Sequence, residues 1–94
     1  MSVVKINALQ VPEGDRGELE ARFAARKHSV DTAPGFEGFE LLRPVAGESR
    51  YFVVTRWASE ADFQAWRAAR EGHDPSRPPV VTGMELLEFE VVEL

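Results

Sequence analysis

From Val3 to Val11 the chain alternates, with Val4, Ile6 and Ala8 on one side and Val3, Lys5, Asn7, Leu9 and Val11 on the other. That is the two-residue period of a β-strand, and β-branched Val3, Val4, Ile6 and Val11 suit one. Both sides are largely apolar through the middle, which predicts a strand covered on both faces. Pro12-Glu13-Gly14 ends it, and the spacing then changes to that of a helix, with Leu19, Phe23 and Val30 in line and Ala24 beside them. Asp15 is a good N-cap, and Glu18 three residues on completes a capping-box-like pattern. The helix is predicted to run from about Arg16 to about Asp31 and to stop before Pro34-Gly35.

Phe36 to Arg43 reads as a second strand, with Gly38 marking a bulge or close approach. Ala46 to Ser49 is short and polar, as a hairpin connection should be, so Arg50 to Trp57 forms a third strand antiparallel to the second. Ser59 caps a second helix, with Asp62 at the acidic box position and Phe63, Ala65, Trp66 and Ala69 on its apolar side. Gly72 is where that helix would end, and prolines 75, 78 and 79 keep the following stretch irregular. Met84 to Val92 is the last strand, Leu87, Phe89 and Val91 alternating with Glu88, Glu90 and Val92. The order strand, helix, strand, strand, helix, strand is the α+β ferredoxin-like split βαβ arrangement, an antiparallel sheet with both helices on one face. Its other face would leave an apolar set such as Val4, Ile6 and Ala8 or Leu87, Phe89 and Val91 in water. Pairing with a second copy would cover it, so a homodimer is expected.

Ninety-four residues make one domain, 1–94, with no room for a second core. A net charge of −5 argues against nucleic acid, although Arg22, Arg26, Lys27 and His28 form a local basic group that could hold a small anion. The absence of cysteine removes disulfide and thiolate chemistry. The N-terminus has no basic leader and no run is long enough to span a bilayer, so the expectation is a cytoplasmic protein with no membrane association. Two histidines and no cysteine give no spacing of a zinc or iron centre. His28 reads as a solvated group amid basic residues, and His73, just past the second helix, is the candidate metal ligand. No serine stands in a nucleophile elbow and there is no glycine-rich phosphate loop. Trp66 taken alone reads as core. Asn7 is the more informative residue, because strand interiors disfavour asparagine and a buried amide must find partners.

The runs VVKIN, PGFEGFELLRPV, RYFVVTRW, FQAW and ELLEFEVV resemble the antibiotic-biosynthesis-monooxygenase (ABM) family, and within it the IsdG-type haem-degrading monooxygenases, those of mycobacteria above all. The likeness covers nearly the whole chain. It implies a ferredoxin-like protomer that pairs into a dimeric α+β barrel. It also implies a monooxygenase that takes haem as both cofactor and substrate, with O2 and an external reductant or electron donor, and releases iron. By resemblance, Asn7 would hydrogen-bond on the distal side of the iron and Trp66 would press on the haem face. Arg22 and Arg26 would pair with propionates or line the pocket mouth, with Phe23, Phe39 and Phe63 as apolar lining.

At the third position the chain departs from the family. The segment between Trp66 and Val80 is shorter than in the mycobacterial haem degraders, which brings His73, the counterpart of the axial ligand, closer to Trp66. Aligned from the C-terminal side, Gly72 would occupy that place instead. Two other readings therefore stay open: a cofactor-independent monooxygenase acting on a small aromatic or quinol substrate, and a non-enzymatic dimer that binds haem or another small hydrophobic ligand.

Overall fold

The computed structural model describes residues 2–25, 31–69 and 81–94. Among the described residues four strands and two α-helices follow one another as β1 (Val3–Gln10), α1 (Arg16–Ala25), β2 (Phe36–Leu42), β3 (Tyr51–Trp57), α2 (Glu60–Ala69) and β4 (Gly83–Glu90). The strands form one antiparallel sheet in the order β2-β3-β1-β4, as expected of the ferredoxin-like arrangement. β1 is central, pairing with β3 through Val3–Trp57 to Leu9–Tyr51 and with β4 through Val3–Glu90 to Gln10–Gly83. The bulge expected at Gly38 is present, where the β2–β3 register shifts between Phe36 and Gly38.

Both helices lie on one face. Leu19 of α1 packs with Leu9, Tyr51 and Val53, whereas Phe63 of α2 packs with Val3 and Trp57. All the β1 residues in these clusters are odd-numbered and so share a side of the sheet. Trp57 and Tyr51, at 0% and 1% exposure, are the largest sealed side chains. The opposite face carries Val4, Ile6, Phe52, Val54 and Leu87, all partly exposed, with Leu42 and Phe89 more open still.

The two helices begin differently. At α2 the Ser59 hydroxyl accepts the Asp62 N–H at 3.2 Å and donates to its carboxylate at 2.9 Å, so the expected cap forms. The chain enters α1 instead through a 3-10 turn over Glu13–Asp15, closed by Asp15 N–H to the Pro12 carbonyl at 2.9 Å. Glu18 turns away from the expected capping box and accepts Arg22 Nε at 2.8 Å. The last part of the helix predicted to reach Asp31 falls on residues 26–30, outside the described residues. Gly35 explains the tight entry to β2. Its φ is +78°, and a Cβ there would stand 2.2 Å from the Asp62 carboxylate. No helix among the described residues is long and apolar enough to cross a membrane.

Candidate functional site

Asn7 pairs with Val53 on β3 and Leu86 on β4, so the three side chains share the helix-covered face. Val53 belongs to the cluster under α1, and Leu86 packs against the cluster under α2. Asn7 therefore stands where the two clusters adjoin and is a member of neither. It is partly exposed, and among the described residues its side chain has no hydrogen-bond partner and its amide is not sealed from solvent. A neighbouring backbone group would be the ordinary way to satisfy such an amide, and none does so here. The result is an unengaged donor and acceptor beside the apolar side chains of Val53 and Leu86.

Aromatic side chains rise on either hand. On the α1 side Phe23 stacks on Phe39, with ring centroids 6.0 Å apart and planes at 21°. On the α2 side the partly buried Trp66 indole lies 5.3 Å from Trp57 and 6.4 Å from Phe63. Phe63, expected among the lining residues, is 5% exposed and supports Trp66 from within the core. Arg22 of α1 donates its Nε to Glu18 one turn back. Arg26 and His73 lie outside the described residues. The site thus brings Asn7, Trp66, Phe23 and Phe39 onto one face.

The structure adds two charged groups that the sequence patterns left unremarked. Lys5, two residues before Asn7 on the same face, is buried, and its ammonium contacts Glu60 of α2 and Glu88 of β4. Burial pulls its pKa down, but the two carboxylates outweigh that and hold it above its ordinary value. Lys5 likewise draws Glu60 below the usual carboxylate range. The available signal was a lysine set among apolar neighbours on a covered face. The second group is Glu20 of α1, which accepts from Arg43 and from the Tyr51 hydroxyl and is pulled down to about 2. Burial, and then Glu20, push the Tyr51 phenol up.

Two surface depressions, of about 310 and 320 Å³, lie at the sheet margins. One is lined by Gln10, Arg50 and Glu85 among others, the second by Lys5, Glu60 and Glu88 among others; neither touches Asn7 or Trp66. Among the described residues no group of three or more potential ligands could hold a bare metal ion. Aromatic walls over a floor with a single unengaged amide suit a flat apolar ligand that needs one polar contact.

The chain is 60% identical over 97 aligned positions to the mycobilin-producing heme oxygenase of Mycobacterium tuberculosis, covering 98% of this chain and 90% of that protein. It is 31% identical to a heme-degrading monooxygenase of Shouchella clausii, covering 98% and 91% of the two chains. Among solved structures, it superposes with a TM-score of 0.86 on the heme degrader MhuD of M. tuberculosis, a structure with two hemes bound in its active site. Identity there is 59%, over 97% of this chain and 96% of the other. The cofactor-independent oxygenase SnoaB of Streptomyces nogalater shares the fold at a TM-score of 0.68 and 22% identity, over 99% and 95% of the two chains. Residues 2–74 match the family described as antibiotic biosynthesis monooxygenase, and the chain belongs to it.

Proposed function

We propose that the protein is a single-domain, O2-dependent haem-degrading monooxygenase that opens the porphyrin and releases its iron. The observation that carries this reading is Asn7, an amide with no protein partner among the described residues, set on the helix-covered face between aromatic groups. The 60% identity to a heme oxygenase over nearly the whole chain supports it. Haem, when bound, supplies the iron that activates dioxygen with electrons from an external reductant. Asn7 would offer its amide as a hydrogen-bonding group toward the bound haem, and Trp66 would pack against the ring. Phe23 and Phe39 exclude water from the α1 side. Arg22 and Arg26 would pair with the haem's carboxylates, and His73 would hold its iron.

The alignment with the tuberculosis enzyme spans 97 positions against a chain of 94, so at least three of those positions face a gap in this chain. His73→Ala is expected to abolish the five-coordinate haem spectrum while leaving the fold intact, and an unchanged spectrum would overturn that assignment.

The protomer is proposed to work as a homodimer, because the sheet face away from the helices leaves Ile6, Val54, Leu87 and Phe89 accessible; a cytoplasmic location is proposed with it. Sedimentation should give the mass of two chains.

Haemin titration decides the main reading. A Soret shift is expected at stoichiometric haemin, followed under ascorbate and oxygen by loss of the band and appearance of free iron. No shift would overturn it, and oxygen uptake with an aromatic substrate alone would place the protein with the cofactor-independent oxygenases. Asn7→Ala should retain haemin but turn over about 100-fold more slowly, the usual scale for losing a preorganised hydrogen bond at a reacting centre.

A further inference from the structure

Lys5 is an unusual group to find beneath a helix. It is 5% exposed, yet its ammonium lies 2.7 Å from Glu88 Oε1, within contact of Glu60, and 4.9 Å from the centroid of the Phe63 ring. Both glutamates keep half of their surface in water. The Lys5 stem runs to the margin of the sheet, where the two half-exposed carboxylates cover the ammonium from solvent. Glu60, Phe63 and Trp66 follow one another at intervals of three on α2 and so form one stripe. The first member of that stripe is held by Lys5, the second lies against it, and the third is the site tryptophan.

The backbone of the same residue reaches Trp66 by a second route. Thr55 Oγ1 donates to the Lys5 carbonyl at 3.3 Å and accepts Trp57 Nε1–H at 3.0 Å. The Trp57 indole fixed in this way lies 5.3 Å from that of Trp66. Lys5 is thus tied to both elements between which Trp66 is held, and it sits two residues from Asn7 on the same strand face.

We propose that Lys5 is a positioning residue: its buried ammonium, clamped between Glu60 and Glu88, seats α2 on the sheet and so sets where the Trp66 indole stands relative to Asn7. This rests on the haem-degrading reading for its consequence but not for its geometry. The neutral variant Lys5→Met keeps the stem and removes the clamp.

In the ligand-free protein, the Trp57–Trp66 pair, with centroids 5.3 Å apart, should give an exciton couplet in circular dichroism that Trp66→Phe abolishes. Lys5→Met should weaken the couplet while the protein stays folded, and Lys5→Arg should restore it. In the haem-loaded protein, Lys5→Met should retain haemin affinity and lower turnover about tenfold, within the range expected when reacting groups are misplaced by about 1 Å. The loss should vanish when Trp66 is already phenylalanine, as in a double-mutant cycle between coupled residues. A full couplet in folded Lys5→Met, or the same loss of turnover in the Trp66→Phe background, would overturn the proposal. If Lys5→Met does not fold, Glu60→Gln removes one arm of the clamp from a half-exposed position and should weaken the couplet in the same way. An unchanged couplet there would count against the clamp. Failure of wild-type protein to bind haemin would remove the functional reading alone, since the couplet is read without ligand.

Discussion

The two halves of the helix-covered face are built from different materials. Under α2 lies an aromatic cluster, Trp57, Phe63, Phe36 and Trp66, with a charge clamp inside it at Lys5. Under α1 lies a mainly aliphatic cluster, Leu9, Leu19 and Val53 with Tyr51, whose charges sit at the rim where Glu20 meets Arg43 and the Tyr51 hydroxyl. The helix starts differ as well, a side-chain cap at Ser59 against a 3-10 turn before Arg16. Large flat rings with few rotatable bonds, a lysine held between two half-exposed carboxylates, and a cap all oppose small shifts of α2. The α1 half has a smaller share of rings, the Phe23–Phe39 stack at its edge, and is tied to the sheet by the bonds of Glu20 to Arg43 and Tyr51. The difference teaches that the half carrying Trp66 packs ring against ring, which leaves its indole few orientations.

Substitutions should separate the halves most sharply in the core. Trp57→Ala is expected to destabilise the fold by about 4 kcal/mol, and Leu19→Ala under α1 by about 3 kcal/mol, both read from chemical denaturation. Equal costs would show that the aromatic half has no special hold. At the helix starts, Ser59→Ala should cost about 1 kcal/mol, since it removes the cap of α2. Asp15→Ala should stay within about 0.5 kcal/mol, because the entry to α1 is closed by backbone.

Acid should act most directly on the α1 half through Glu20. Its folded pKa of about 2 lies below the ordinary 4.5, so its stabilising effect is complete above 4.5 and is lost as pH falls from there toward 2. Glu20→Gln should flatten the dependence of stability on pH across that window. An unchanged slope would assign the acid sensitivity to Glu48, also held near 2 by Arg50, and to other depressed carboxylates such as Glu60.

Much of the fold was legible from spacing alone, because each strand and helix covers an apolar set that repeats at its own period. The Gly38 bulge and the Ser59 cap could be read locally, since backbone geometry there follows from one or two residues. The start of α1 could not be read in this way: Asp15 and Glu18 fit a capping box, but Pro12 closes a 3-10 turn first and Arg22 takes Glu18. At the site, Asn7 stood out as a polar residue in a strand, and resemblance supplied a purpose for it. Phe63 looked identical in kind to Phe23 and Phe39, yet one is sealed in the core and the others stack at its edge, a difference that periodicity does not carry.

The sequence by itself determined the order of elements, the face each presents and the family to which the chain belongs, because these depend on side-chain period and on runs of residue types. Only the tertiary structure decided that Asn7 lacks a protein partner among the described residues, that Lys5 is buried between two carboxylates, and that Trp66 leans on Trp57. Each of these joins groups from strands and helices distant in the chain. Burial and partnership are properties of that meeting rather than of any one segment.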